Sequence, residues 1–341
     1  MPTNIPQQPI HPQLQSVFDW IDAHRDEAIA DLQTLVRQES VSAQRRGLEE
    51  CADLVVRLMH ADGLPAEAYP TPDGPPCVIG HLPSGQSEKT LLCYAHYDVQ
   101  PPEPLDKWID PPYSAAIRDG RMWGRGTTDN KSGVMAFIKA AKAWLQIAGE
   151  APVGLKFITE GEEEIGSIHL GPFIEANPEL VRADAMHCLD GGVHPSAMVP
   201  DIDLGLKSVM FVELIARGAN DDIHSLNAPL LPQPAWDLVR ALNTLVDENR
   251  HPVPTAGTKD CGSWAKKKSP SSKRTPVAST WTSSKEEWGI EQFALEREGV
   301  EALQGHALRT HRQHRRSHRR LPRTSKTIVP NEAARMDFTS A

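Results

Sequence analysis

The sequence predicts an α/β fold in which a mainly parallel sheet is flanked by helices. Short apolar runs alternate with longer stretches of helical periodicity over the first 190 residues, and this alternation favours parallel strands joined by helices. The run at 91–95 has no polar face, as expected for a strand covered by helices on both sides. Acidic and histidine residues follow several of these runs, where ligands of such sheets gather. We therefore expect residues 1–203 to form one α/β domain.

The elements of this domain can be predicted in order along the chain. Apolar residues at helical spacing predict a solvent-faced helix over about 12–37 and a second helix over about 47–62. The span 65–76 is rich in Pro and Gly, which predicts a turn region. We then expect strands at 77–82 and 91–95, a loop over 101–119, a helix from about 130 to near Gly149, a strand at 153–159, a helix at 168–177 and a strand at 183–189.

The pattern changes after residue 203. A long strand at 208–217 and an amphipathic helix at 234–248 predict a second, α+β domain over 204–341. Beyond His251 the apolar periodicity is largely lost. The exceptions are a stretch at 288–303, which predicts a helix, and the sequence from Thr327, which predicts a strand. Low-complexity composition of this kind predicts disorder over 255–326.

Composition excludes several classes of protein. The 341 residues carry a formal net charge of −9, which argues against a general nucleic-acid binder. The five cysteines include no Cys-x-x-Cys pair, so reduced thiols are expected rather than a disulfide framework. No signal peptide is evident, and no apolar run approaches the roughly 18 residues of a membrane span. We therefore expect a cytoplasmic protein that interacts with neither nucleic acid nor membrane.

Histidine and carboxylate side chains are concentrated at predicted strand ends. The candidates are His96, Asp98, Asp129, Glu163, Glu164 and Asp190. Such groups supply hard ligands to more than one divalent metal ion. Taken singly, His96 could be a satisfied core histidine, Asp129 a helix N-cap, and the glutamates a solvated acidic run. Their convergence at strand ends favours a metal site.

The motifs also resemble those of a known family. They are His96-Tyr97-Asp98, Gly124-Arg125-Gly126-Thr127-Thr128-Asp129, Glu163-Glu164-Ile165-Gly166-Ser167 and the strand-end Asp190. Their order and gaps resemble the co-catalytic metallopeptidases that include carnosinase, acetylornithine deacetylase, succinyl-diaminopimelate desuccinylase and glutamate carboxypeptidase, with the carnosinase-like dipeptidases most similar. The resemblance covers about 17–248 and resumes at 327–338. It implies a homodimer that hydrolyses dipeptides or N-acyl amino acids.

The resemblance also implies a set of metal ligands. His96 and Asp190 would bind one ion, Glu164 the other, and Asp129 would bridge both. Asp98 would orient His96 from behind. Zinc is the expected metal, and manganese or cobalt are alternatives because carboxylate-rich sites accept several divalent ions.

Two further residues receive roles from the resemblance. Glu163 would be the general base that moves a proton from water to the leaving amine. His224 would reach from the inserted dimerisation domain, often into the partner subunit's site, to stabilise the oxyanion. On position alone, His224 could equally be an exposed loop histidine. The resemblance further implies a cis peptide bond between Asp129 and Asn130.

The sequence also departs from the family pattern. Family members continue after the inserted domain into a second catalytic half that supplies a last histidine ligand, whereas this sequence is expected to stop inside the inserted domain. The second metal site is therefore expected to be incomplete. The loss of pattern over 251–326, followed by family-like sequence from Thr327, suggests that part of this span is translated in a shifted reading frame. Alternatives to an active hydrolase are an inactive remnant that still binds metal or dimerises, and a protein whose basic stretch at 306–320 binds anionic partners.

Overall fold

The computed structural model describes residues 11–191, 210–221, 223–245, 247, 312–314, 328–329 and 336–340. The chain separates into two compact units, Met1–Asp201 and Ile202–Ala341. The predicted domain boundary at residue 203 falls outside the described residues and stays a prediction. The expected helix at 288–303 and most of the stretch expected to be disordered also lie outside them.

The first unit contains six helices and seven strands among its described residues. The helices are α1 (Pro12–Ala23), α2 (Arg25–Arg37), α3 (Leu48–Ala61), α4 (Lys131–Ala148), α5 (Leu170–Ala176) and α6 (Pro178–Val181). The strands are β1 (Ala66–Thr71), β2 (Gly74–Leu82), β3 (Thr90–His96), β4 (Ala116–Arg118), β5 (Arg121–Trp123), β6 (Gly154–Glu160) and β7 (Ala185–Cys188). Short 3₁₀ turns lie at Ser42–Gln44, Leu105–Lys107 and Glu163–Ile165.

A five-stranded mixed sheet forms the centre of this unit, with strand order β1-β2-β6-β3-β7. Strand β3 pairs in parallel with both β6 and β7. Strand β2 is antiparallel to its neighbours β1 and β6, so it alone in this sheet opposes the common direction. The α/β class with a parallel centre is confirmed. The carboxyl ends of β3, β6 and β7 consequently meet at one edge.

Helices cover both faces of the sheet. On one face, Val55 of α3 and Ile138 of α4 pack in a buried core with Phe157 of β6. On the other face, Phe173 of α5 packs with Ile158, the next residue of β6. Successive strand residues point to opposite faces, and both faces are covered here, which explains why apolar residues lie on both faces of β6.

The structure corrects the predicted helix over 12–37, which is two helices that meet at His24. The His24 ring stacks on Trp20 with ring centroids 3.9 Å apart, and its Nδ1 lies 2.8 Å from the Trp20 carbonyl oxygen. The backbone N–H of His24 also donates to Trp20 and Ile21 carbonyls. These contacts satisfy the carbonyls that end α1, as a helix terminus requires.

Two predicted loops contain strands. The span 65–76 holds β1 and the start of β2, although it is rich in proline. Pro70 is tolerated because β1 is an edge strand and its register with β2 shifts between Tyr69 and Thr71. The predicted loop over 101–119 contains β4, which pairs with β5 in a small hairpin.

The described part of the second unit contains β8 (Met210–Leu214), β9 (Ile223–His224), α7 (Pro234–Asn243), β10 (Arg312–His314), β11 (Ile328–Val329) and β12 (Met336–Ser340). Strands β10, β12 and β8 form one antiparallel sheet, and β11 pairs with β9. The predicted strand and helix of this region are present but shorter than expected. Among the residues described in either unit, no helix is long and apolar enough to cross a membrane.

Candidate metal centre

His96 is the last residue of β3, and its side chain is fully buried. Its Nδ1 lies 3.1 Å from the backbone oxygen of Asp98 and 3.3 Å from the Asp98 carboxylate. A proton on Nδ1 would therefore be held by Asp98, which leaves Nε2 as the ring nitrogen that could bind a metal ion. Within the described residues, Nε2 is buried and makes no hydrogen bond. A buried polar atom without a partner is costly, so this atom calls for a ligand.

Two carboxylates face this nitrogen. Asp129, which lies before α4, places Oδ1 at 3.0 Å from His96 Nε2, and Asp190, which follows β7, places Oδ1 at 3.8 Å. One potential ligand atom from each of these three residues lies within 4.8 Å of the other two. The peptide bond between Asp129 and Asn130 is cis, as the family resemblance implied. The two carboxylates remain accessible to solvent, so an ion could enter.

The electrostatics of this cluster favour a bound cation. Burial alone would lower the pKa of His96, but the carboxylates of Asp129, Asp190 and Asp98 outweigh burial and raise that pKa to about 12. In return, His96 lowers the pKa of Asp129. The cluster thus attracts positive charge strongly. An imidazole nitrogen with two carboxylates is a donor set that suits a divalent metal ion, so the residues fit the group that the sequence implies.

Asp98 also organises the neighbouring acidic turn. Its buried carboxylate accepts a hydrogen bond from the backbone N–H of Glu163 through Oδ1 and from that of Glu164 through Oδ2, each at 3.1 Å. The same side chain lies against the ring of His96. One carboxylate therefore fixes the histidine and the turn Glu163–Ile165 relative to each other.

Glu163 projects toward the cluster without joining the close ligand group. Its Oε2 lies 3.8 Å from His96 Nε2. Burial raises the pKa of Glu163 to about 7; His96 opposes the rise, whereas Asp190 and Glu164 add to it. A carboxylate whose pKa lies near neutrality can both accept and return a proton.

Glu164 lies on the same turn and is held by Gln100. The Gln100 Nε2 donates to the Glu164 carboxylate at 2.8 Å and to its backbone oxygen at 2.9 Å. Burial raises the pKa of Glu164, and the charge of Asp129 adds to the rise. Glu164 thus lies in the electrostatic surroundings of Asp129 but outside the close group of His96, Asp129 and Asp190.

His224 belongs to the second unit, where it is the last residue of β9. It is exposed, and its Nδ1 accepts a hydrogen bond from the backbone N–H of Leu226 at 3.1 Å. Its predicted role in catalysis stays a prediction.

Gln100 and Asn130 are two site residues that sequence reasoning missed. A usable pattern existed for Gln100, because His96, Asp98 and Gln100 alternate along an extended segment and so share one side. Asn130 had no such pattern, since its contacts join segments far apart in sequence.

A second acidic group in the first unit is not a metal centre. Glu27, Asp31 and Asp62 also have carboxylate oxygens close together. However, Lys139 Nζ lies 2.7 Å from one Asp62 oxygen and Lys142 Nζ lies 2.6 Å from the other. Lysine ammonium groups therefore already neutralise this cluster, which ties α2, α3 and α4 together.

Several curated proteins are similar in sequence to this chain. The chain is 32% identical over 255 residues to the human Beta-Ala-His dipeptidase, covering 70% of this chain and 50% of that protein. It is 33% identical over 252 residues to the Cys-Gly metallodipeptidase of Schizosaccharomyces pombe, covering 69% and 53%. The chain thus spans about half the length of the curated relatives it matches.

Solved structures of metallopeptidases are also similar to this chain. The M20 family metallo-carboxypeptidase from Sulfolobus solfataricus superposes with a TM-score of 0.73 at 30% identity, covering 92% of this chain and 71% of that one. Human carnosine dipeptidase 1 gives a TM-score of 0.75 at 25% identity, covering 96% and 72%. These similarities confirm the predicted resemblance to the dipeptidase branch. The model of "Peptidase family M20/M25/M40" matches residues 92–304, which include every residue of the cluster, and the chain belongs to that family.

Proposed function

We propose that this chain carries the site of a metal-dependent hydrolase that cleaves dipeptides or N-acyl amino acids. The observation that supports it most directly is the buried Nε2 of His96, which has no hydrogen bond in the described part of the chain and faces the carboxylates of Asp129 and Asp190 at 3.0 and 3.8 Å. The printed names of the relatives, a Beta-Ala-His dipeptidase and a Cys-Gly metallodipeptidase, favour dipeptides as substrates.

The proposed metal ligands divide into two sets. His96, Asp129 and Asp190 would hold one divalent ion, and Asp129 with Glu164 would hold a second. Three donors bind more tightly than two, so we expect the first ion to bind more tightly. Zinc is the proposed metal, with manganese or cobalt as alternatives. When bound, such ions supply Lewis-acid polarisation of the scissile carbonyl and lower the pKa of water.

Glu163 is proposed as the general base. Its Oε2 would take a proton from the attacking water and pass it to the nitrogen of the leaving amine. A pKa near 7 suits this exchange, because the carboxylate is then a base at neutral pH and its conjugate acid can still release the proton. Since Glu163 lies 3.8 Å from His96 Nε2, its role does not require it to bind the metal.

Asp98 and His224 are proposed in supporting roles. Asp98 would hold the proton on Nδ1 of His96 and so present Nε2 to the metal. His224 would stabilise the oxyanion, within a cytoplasmic homodimer in which it serves the partner's site. This second role rests on the family resemblance and on the exposed position of the side chain.

An inactive form that retains metal binding is the second candidate function. It is favoured by one observation: in the described part of the first unit, the close ligand group contains donors for one ion only. Such a chain would bind a single ion and release no product.

The test combines metal titration with a hydrolysis assay. The chelator-treated chain is titrated with Zn²⁺ by calorimetry and then assayed for cleavage of β-alanyl-histidine and cysteinyl-glycine. Glu163→Gln should retain Zn²⁺ binding but lose turnover by about 100-fold or more. Glu175→Gln is the matched control, since Glu175 is an exposed residue of α5. Metal binding without turnover in the wild type would favour the inactive form, and undiminished turnover in Glu163→Gln would refute the assignment of the base.

A further inference from the structure

The side chain of Asn130 links the ends of two neighbouring strands. It is buried, with only 1% of its surface exposed. Its Oδ1 accepts a hydrogen bond from the backbone N–H of His96 at 3.2 Å, and its Nδ2 donates to the backbone oxygen of Leu189 at 2.6 Å. The same Nδ2 lies 3.1 Å from Oδ1 of Asp190 and donates to it. One amide therefore contacts two of the three proposed ligand residues, and the third, Asp129, precedes it in the chain.

The amide occupies a position in the ladder between β3 and β7. The last direct bond of this parallel pair runs from the N–H of Leu189 to the oxygen of Tyr94 at 3.2 Å. In an evenly spaced parallel ladder, the next bond would run from the N–H of His96 to the oxygen of Leu189. Instead, the Asn130 amide lies between these two groups and bonds to both. The strands are thus held apart where His96 and Asp190 leave the sheet.

We propose that Asn130 is a positioning residue that sets the separation of His96 and Asp190 for a divalent metal ion. By replacing a direct strand-to-strand bond with a two-bond bridge, the amide keeps room for an ion between the imidazole and the carboxylate. Its third bond fixes the rotation of the Asp190 carboxylate. This inference rests on the proposed metal-dependent function.

The packing of α4 closes the space around this amide. A Cβ on Gly133 would lie 2.3 Å from the Leu189 oxygen and 2.7 Å from Oδ1 of Asn130. Neither distance is possible without movement, and the Leu189 oxygen belongs to the backbone. Any side chain at position 133 would therefore displace the bridge while leaving all its polar groups present.

The test measures metal affinity rather than activity. Asn130→Leu fills a similar volume without the hydrogen bonds, and Gly133→Ala displaces the amide. The Kd for Zn²⁺, measured by calorimetry on chelator-treated protein, should rise about 10- to 100-fold in both variants, as for other residues that support metal ligands. Asn177→Leu is the matched control, because Asn177 directly follows α5 and its amide donates to the Phe173 oxygen, away from the cluster. Its Kd should equal that of the wild type.

Thermal unfolding of the metal-free proteins separates positioning from general stability. A merely structural role would lower the melting temperature of Asn130→Leu but leave the Kd of the folded protein unchanged, which would overturn the proposal. Should Asn130→Leu fail to fold, Gly133→Ala gives the same test. If the wild type binds no Zn²⁺, the proposed function fails together with this inference. If the wild type binds and both variants bind equally well, only this inference fails.

Discussion

Replacing Asp98 by asparagine should weaken both the fold of the site and its metal binding. The Asp98 carboxylate is fully buried and accepts the backbone N–H groups of Glu163 and Glu164, one on each oxygen. Asparagine has one oxygen, so one of these N–H groups would instead face the NH₂ group. The loss of one hydrogen bond to a charged group is worth about 1.5–3 kcal/mol. Leaving a partly buried N–H without an acceptor adds to this cost by at most about 1–3 kcal/mol.

Relief of a buried charge offsets part of this loss, so we expect a net destabilisation of about 2 kcal/mol. For a domain of this size that corresponds to a fall in melting temperature of roughly 4–8 °C. The Kd for Zn²⁺ should rise about 10- to 100-fold, because the proton on His96 Nδ1 loses a charged acceptor. Differential scanning calorimetry and metal titration measure the two effects. Asp53→Asn, at an exposed position of α3, is the control. A metal affinity equal to that of the wild type would refute the proposed orientation of His96.

Three smaller perturbations have defined outcomes. Gln100→Leu removes both hydrogen bonds that Gln100 donates to Glu164. In calorimetry, it should weaken Zn²⁺ binding at a second, weaker site that includes Glu164 and leave the affinity of the tighter site unchanged. Phe173→Ala should destabilise the unit by about 3–5 kcal/mol in urea unfolding, because Phe173 is buried on the α5 face. A hydrogen bond from Lys142 is the main cause that lowers the pKa of Glu27 below its usual 4.5. The resulting stabilisation is present above pH 4.5 and is lost as the pH falls through the lower folded value. Near neutral pH, Glu27→Gln should therefore be less stable than the wild type by less than about 1 kcal/mol, because Glu27 is exposed. This difference in the free energy of unfolding, measured in urea at several pH values, should shrink as the pH falls below 4.5.

The position of the site could be predicted from sequence because it follows from sheet topology. Apolar runs identified β3, β6 and β7, and parallel pairing brings their carboxyl ends to one edge. The structure brings His96, Asp129 and Asp190 together at that edge, and Glu163 faces them. The assignment of individual roles to these side chains came from the family resemblance rather than from strand pattern.

The features that sequence did not predict depend on contacts between distant segments or on local exceptions. The predicted helix over 12–37 is interrupted at His24, whose ring stacks on Trp20. The spacing of apolar residues carries no information about such a contact. Strand β1 was missed because Pro70 is a poor strand residue, yet an edge strand with a register shift accommodates it. Proline content alone therefore predicted a turn where the chain pairs with β2.

Two buried side chains, Asp98 and Asn130, shape the cluster in the same way. Each forms hydrogen bonds with backbone groups beyond a strand end, where a regular element would supply a backbone partner. Asp98 supplies acceptors to the turn that carries Glu163, and Asn130 supplies both a donor and an acceptor between β3 and β7. In each case the backbone is held in a geometry that a regular sheet or helix would not give. The proposed metal ligands would need such a departure, because a regular ladder would bring His96 and Asp190 to the spacing of paired strands rather than to that of two ligands of one ion. The buried polar groups Asp98 and Asn130 therefore shape this candidate site as much as the proposed ligands do.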